Sequence, residues 1–178
     1  VGYQDTLLTD SRVKGSDGNY EVTRQYFSKC YITGNVDFIY GAGTSYFDDC
    51  DIVARYTEYK ADGCFTAGRT YASTDYGYVF NNCRFIAEDK VADDSYRMAR
   101  PWGKDDSTTF INCYLGRAII DSGYGDMSGN SYKNARFAEY GSYGPGYVLD
   151  NDRPLLSSTQ ASVYAMNNVL GDYDASAV

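Results

Sequence analysis

Two aspartates stand in segments whose other residues carry no charge. Asp5 lies in Tyr-Gln-Asp-Thr-Leu (residues 3–7), and Asp37 lies in Val-Asp-Phe-Ile-Tyr (residues 36–40). Two carboxyl groups can hydrolyse an ester if one attacks the carbonyl carbon while the other, held protonated, gives its proton to the leaving alcohol. The pattern alone also fits a turn aspartate at either position, or a member of a buried ion pair at Asp37.

A third chemical feature is the segment Arg100-Pro101-Trp102. An arginine beside a carboxylate keeps it ionised and aimed, as a nucleophile requires, and an indole face offers a platform for a sugar ring. The alternative is a surface arginine next to a tryptophan that anchors a loop. The chain contains no histidine, which excludes a Ser-His-Asp triad, a Cys-His dyad and any histidine-ligated metal site.

A repeat along the chain indicates how these residues are positioned. Four segments of the form Phe-x-x-Cys-x-(Ile, Phe or Leu) begin at residues 27, 47, 80 and 110, in steps of 20, 33 and 30 residues. Short strands at a step near 20, without helical periodicity, are typical of solenoid coils. The sequence therefore predicts an all-β fold, a right-handed parallel β-helix, with a β-sandwich as the alternative.

Cysteines accompany the repeat. Cys30 and Cys50 lie one coil apart, and stacked rungs are about 4.8 Å apart, which is within disulfide reach, so we expect a bridge in an oxidising compartment. Cys64, Cys83 and Cys113 are interpreted as small apolar stacking residues, since no Cys-x-x-Cys pair suggests a metal site. After a loop at residues 140–146, the sequence predicts one short helix that ends near Leu170 and is capped by Ser157 or Ser158.

Composition narrows the classes of function. The formal net charge of −8 argues against a nucleic-acid binder, which normally presents a basic face. No apolar run is long enough to span a bilayer. The 178 residues suit one domain over residues 1–178, and because the chain opens like the middle of a folded protein, we expect N-terminal coils to precede Val1.

At this point the motifs resemble a known family, the pectin methylesterases or pectinesterases. The resemblance rests, in order along the chain, on GYQDTL (2–7), ITGNVDFIYG (32–41), FTAGR (65–69) and ARPW (99–102). GDMSG (125–129) and FAEYGSYGPG (137–146) are similar to the bacterial members. The resemblance implies a right-handed parallel β-helix that hydrolyses methyl esters of pectin without a metal or cofactor.

The resemblance also implies roles for individual residues. Asp37 corresponds to the nucleophile, Asp5 to the general acid and then base, Gln4 to an oxyanion donor, and Arg100 to the residue that orients the nucleophile. The matches to positions that line the sugar groove are Tyr40, Ala67, Trp102 and Met127. The family's disulfide one coil apart matches Cys30 and Cys50.

Among the departures from the family pattern, two concern whole segments of the chain. The family's second oxyanion glutamine belongs about one coil upstream of Gln4, outside this chain, and an insertion extends from Asp10 to Tyr20. The expected partner is pectin, or homogalacturonan, and the protein is expected to bind it as a monomer. We expect the protein to be secreted or extracellular, and a location at the cell surface or in the periplasm also fits. Two other functions stay open: a pectate-lyase-like enzyme with calcium on Asp48, Asp49 and Asp51, and a non-catalytic polysaccharide-binding solenoid.

Overall fold

A computed structural model describes residues 3–10, 16, 21–59 and 63–172, so most of the predicted insertion between Asp10 and Tyr20 lies outside the described residues. The first sheet contains β1 (Leu7–Leu8), β4 (Val36–Gly41), β7 (Gly63–Gly68) and β10 (Tyr96–Ala99). The second contains β2 (Arg24–Ser28), β5 (Thr44–Asp48), β8 (Tyr78–Asn81), β11 (Ser107–Ile111) and β13 (Arg136–Tyr140). The third contains β3 (Tyr31–Gly34), β6 (Asp51–Ala54), β9 (Arg84–Ala87) and β12 (Tyr114–Leu115).

The chain visits the three sheets in the same order in each coil, and neighbouring strands within every sheet are parallel. This confirms the predicted parallel β-helix, with about four turns. A β-sandwich is wrong, because sandwiches are built from antiparallel sheets.

The phenylalanines of the repeat form one column inside the solenoid. Phe27 pairs in register with Phe47, Phe47 with Phe80, and Phe80 with Phe110. Their ring centroids are 4.7, 4.5 and 5.4 Å apart, and the rings are stacked. Because each ring packs against its neighbours in the column, the column fixes the register between coils.

A left-handed corner follows each phenylalanine strand. Lys29, Asp49, Asn82 and Asn112 all have φ between 52 and 54°. Their N–H groups donate to carbonyls of the next coil at 2.7–3.0 Å. Asn and Asp tolerate this conformation better than most residues, which accounts for their presence before three of the four repeat cysteines.

The predicted disulfide between Cys30 and Cys50 is not formed, and both residues are free thiols. The Cys50 thiol points at main-chain carbonyls of Phe27 and Asp48, at 3.4 and 3.3 Å, and the Cys30 thiol points at the Ser28 carbonyl at 3.4 Å. The Cys30 N–H donates to the Cys50 sulfur at 3.4 Å. The stacking of the two residues is therefore as expected, and both thiols contact main-chain carbonyls without a covalent bond between the two sulfurs.

The remaining cysteines are also free and fully buried. Cys83 and Cys113 continue the column begun by Cys30 and Cys50, and their thiols donate to the carbonyls of Phe47 and Phe80 at 3.4 Å. They pack as small core residues, as the sequence predicts.

The C-terminal helix is shorter and more broken than predicted. It consists of α1 (Ser158–Ala161), a 3₁₀ turn (Ser162–Tyr164) and α2 (Met166–Leu170). Ser157 caps α1 in a reciprocal capping box with Gln160. Ala161, Val169 and Leu170 pack on the outer face of the second sheet. None of the helices in the described residues is long and apolar enough to cross a membrane.

Candidate active site

Asp37 occupies an irregular position in β4. The register between β4 and β7 shifts between Val36 and Ile39, so Asp37 lies in a bulge. Its φ is 48° and its exposed fraction is 1%. A buried, left-handed aspartate inside a strand is costly, and strain of this kind clusters at functional sites.

Arg100 meets Asp37 from two strands away. It follows β10, and its N–H donates to the Thr66 carbonyl of β7 at 3.0 Å. Its Nε and one terminal nitrogen donate to the two oxygens of Asp37, both at 2.7 Å. This bidentate geometry fixes the orientation of the carboxylate as well as compensating its charge.

Asp5 lies beside this ion pair. Its N–H donates to the Val36 carbonyl at 3.1 Å, and Gln4 bridges to Val36 in parallel register. Like Asp37, Asp5 has a left-handed backbone, with φ of 56°. Desolvation, and then the negative charge of Asp37, raise the pKa of Asp5, while a hydrogen bond from Gln4 and the charge of Arg100 act in the opposite direction. Asp5 therefore holds a proton more readily than an ordinary aspartate does.

A cavity of about 180 Å³ opens at Asp5. Tyr40 and Trp102 lie on it with ring centroids 6.3 Å apart and planes inclined by 50°. All of its lining residues belong to the set predicted from the sequence: Gln4, Asp5, Tyr40, Ala67, Trp102 and Met127. The two predicted residues outside this lining, Asp37 and Arg100, form the ion pair beside Asp5.

Arg69 also contacts the site, although no role was predicted for it. The guanidinium carbon of Arg69 is 4.6 Å from the centroid of the Trp102 ring. Arg69 stands at the end of the FTAGR segment, so the motif marked its position but gave no reason for an arginine there.

Asp106 is a second residue that the sequence did not single out. It is fully buried, and its Oδ2 has no hydrogen-bond partner among the described residues. Desolvation raises the pKa of Asp106 to about 7, against hydrogen bonds from the Thr70 hydroxyl and from the main chain of Ser107 and Gly68. It lies four residues after Trp102, where it fastens this loop to the turn that follows β7.

Two of the three aspartates at positions 48–51, Asp48 and Asp51, have partners within the protein. Asp48 accepts hydrogen bonds from Asn81 at 2.8 Å and from Tyr26 at 3.2 Å. Asp51 is bound by Arg84 at 2.6 Å through both oxygens. These carboxylates are thus engaged within the protein rather than gathered toward one point. Across the described ranges, no group of three or more His, Cys, Asp or Glu side chains could hold a metal ion.

Comparison with known proteins gives consistent matches. The model of the Pectinesterase family matches residues 1–170. Pectinesterase A of Dickeya chrysanthemi is 37% identical over 204 aligned residues, which cover 97% of this chain and 51% of that protein. Pectinesterase 2 of Citrus sinensis is 30% identical over 180 residues, covering 95% of this chain and 33% of that protein. The chain spans about half the length of the first relative and about a third of the second.

Solved structures match over nearly all of the chain as well. A crystal structure of a pectin methylesterase in complex with a hexasaccharide has a TM-score of 0.80 and 33% identity, covering 98% of this chain and 55% of that one. The pectin methylesterase from Yersinia enterocolitica has a TM-score of 0.81 and 30% identity, covering 97% and 58%. The likeness therefore holds in both backbone and sequence.

Proposed function

Because the chain belongs to the pectinesterase family, we propose that it hydrolyses methyl esters of polygalacturonate, yielding pectate and methanol. The observation that carries this proposal is the bidentate Arg100–Asp37 pair beside Asp5, at a cavity walled by Tyr40 and Trp102. A site that hydrolyses a sugar ester requires both reactive carboxyl groups and aromatic faces against which a sugar ring can pack.

In the first step, a carboxylate oxygen of Asp37 attacks the ester carbonyl carbon. The bond to the methoxy oxygen breaks while Asp5 gives that oxygen its proton, so methanol leaves and an acyl-enzyme anhydride forms. Arg100 holds the attacking carboxylate at a fixed angle, which reduces the entropy lost in reaching the transition state.

In the second step, Asp5, now ionised, takes a proton from water as that water attacks the anhydride. This restores the carboxylate of Asp37 and the proton on Asp5, and releases the uronic acid, which then loses its proton to solvent. The raised pKa of Asp5 suits a group that must carry a proton in one step and recover it in the next. The side-chain amide of Gln4 donates to the oxygen that becomes negative in both steps.

The assay that tests this proposal is methanol release from highly esterified pectin. We expect methanol without an ultraviolet-absorbing unsaturated product, and no loss of rate with a chelator. An unsaturated product that disappears with chelator would identify the pectate-lyase-like alternative. Binding of pectin without release of methanol would favour the non-catalytic solenoid.

The setting follows from the substrate. Pectin is a polymer of the plant cell wall, so we propose that the protein is secreted or extracellular and acts in cell-wall modification. We further propose that residues 1–178 belong to a single β-helix domain that works as a monomer, which gel filtration coupled to light scattering would test.

A further inference from the structure

The main chain of Trp102 is held from one side of its loop. The side-chain amide of Asn130 donates to the Trp102 carbonyl at 2.9 Å and to the Pro101 carbonyl at 3.2 Å. These bonds fix where the residue sits, but they leave two side-chain torsions to be set by contacts of the ring itself. The orientation of the indole decides whether its face can meet a sugar in the cavity.

Arg69 supplies such a contact. Its guanidinium carbon lies 4.6 Å from the indole centroid, and its side chain is 26% exposed. Its Nε is buried and has no hydrogen-bond acceptor among the described residues. A guanidinium is planar and weakly hydrated, so stacking on an indole can offset part of the desolvation of this nitrogen.

The backbone holds Arg69 and Trp102 close to each other. The N–H of Arg69 donates to the Gly41 carbonyl at 2.8 Å, which extends the ladder between β4 and β7. The N–H of Gly103 donates to the Gly68 carbonyl at 3.0 Å. A Cβ added to Gly103 would lie 2.8 Å from both Cα and Cβ of Arg69, so the Trp102 loop passes directly over Arg69.

We propose that Arg69 is a positioning residue for carbohydrate binding, which holds the indole of Trp102 at the angle that serves as a sugar platform. Arg69 does not touch the ester. It acts through the ring, so its loss should weaken the binding of the polymer and leave the chemical step nearly unchanged. The identity of the polymer as pectin rests on the proposed function, whereas the contact between the two side chains does not.

The chain offers a direct measurement, because Trp102 is its single tryptophan and intrinsic tryptophan fluorescence reports on this ring alone. In Arg69→Met we expect the emission maximum to move to longer wavelength and quenching by acrylamide to increase. Arg69→Lys keeps the charge but not the flat stacking surface, and we expect an intermediate result. Arg84→Met, which removes an arginine of the third sheet, should match the unaltered protein.

The ion pair between Arg69 and Asp10, at 3.7 Å, offers another route by which Arg69 could act. Asp10→Asn removes that charge and keeps Arg69. Unchanged Trp102 emission in Asp10→Asn, beside altered emission in Arg69→Met, supports direct positioning. If Asp10→Asn reproduces the spectrum of Arg69→Met, or if Arg69→Met leaves the spectrum unaltered while remaining folded by circular dichroism, the inference is overturned.

Kinetics separate this inference from the proposed function. For esterified pectin, we expect Arg69→Met to raise KM about fivefold and to change kcat less than twofold. An equal fall in kcat with constant KM would overturn the positioning role. A chain that releases no methanol, but whose Trp102 fluorescence responds to Arg69→Met and to added pectin oligosaccharide, would refute the esterase and support the positioning of Trp102.

Discussion

Arg100 holds both oxygens of Asp37 at 2.7 Å, and the two residues are 63 positions apart in the chain. The side chain of Asp37 is 1% exposed and that of Arg100 is 14% exposed, so water screens this pair weakly. A second bidentate pair, Asp51–Arg84 at 2.6 Å, lies on the third sheet with the Arg84 side chain 59% exposed. The molecule thus contains a matched control for the proposed catalytic pair.

Asp37→Asn removes the proposed nucleophile and keeps the shape of the side chain. An amide oxygen does not form the anhydride, so we expect methanol release to fall roughly 10³-fold or more. Asp51→Asn alters the matched pair and should retain the rate of the unaltered protein. Full methanol release from Asp37→Asn would show that the assigned mechanism is wrong.

Removing Arg100 should cost stability as well as rate. Arg100→Ala leaves the buried Asp37 carboxylate without its bidentate partner, and we expect the free energy of unfolding to fall by about 3–5 kcal/mol. The same change at the exposed control, Arg84→Ala, should cost much less, because water screens that ion pair. Urea denaturation measures both. Equal losses would mean that burial does not distinguish the two pairs.

Arg100→Lys tests whether Arg100 also contributes to the rate of hydrolysis. Lysine keeps the charge but not the fork that aims the carboxylate, so we expect kcat to fall on the order of 10²-fold with KM nearly constant. A change confined to KM would indicate that Arg100 binds the substrate rather than orienting the nucleophile.

Gln4→Ala tests the acid and the oxyanion donor together. Loss of the amide should reduce kcat about 10²-fold. The hydrogen bond from Gln4 lowers the pKa of Asp5, so its removal should raise that pKa further. Because the first step requires a proton on Asp5, the rate declines as pH rises through this pKa, and the alkaline limb of the pH–rate profile should move to higher pH.

The control for this shift is Asp5→Asn, in which the limb assigned to Asp5 should vanish along with most of the activity. An alkaline limb that stays in place in Gln4→Ala, while kcat falls, would separate the two roles and leave Gln4 as an oxyanion donor alone.

The coil length and the corners of the β-helix can be predicted from the sequence, because one repeat determines both. The spacing from Phe27 to Phe47 gives a coil length, and the polar residue before each cysteine marks a left-handed corner. The pairing of Asp37 with Arg100 has no such signal. It depends on how the two longer coils place β10 beside β7, and family resemblance rather than spacing predicted it.

The features that were predicted wrongly or were not predicted also have local causes. A separation of one rung permits a disulfide between Cys30 and Cys50, but the direction of each thiol depends on nearby carbonyls that the sequence does not display. Arg69 and Trp102 are 33 positions apart, and the residues next to each of them do not predict their contact. Asp106 follows Asp105 in a polar segment, and no residue of that segment signals that the loop buries Asp106 completely.

Asp106 should make the stability of the fold depend on pH. Its pKa is raised from 3.8 to about 7 in the folded protein, so between these values the folded state keeps a proton that the unfolded state has released. Unfolding then releases a proton, and stability falls as pH rises from about 4 to about 7, by up to roughly 4 kcal/mol. Above pH 7 this group adds no further dependence.

Asp106→Asn should remove that dependence, because an amide does not titrate in this range and its oxygen can still accept from the Thr70 hydroxyl. We expect the unaltered protein to lose stability between pH 5 and pH 8 in urea denaturation, and Asp106→Asn to lose markedly less over the same interval. Asp105→Asn, a change at the more exposed neighbour that pairs with Lys104, should keep the slope of the unaltered protein. The same slope in Asp106→Asn and in the unaltered protein would mean that Asp106 is ionised throughout, and that another group governs the pH dependence.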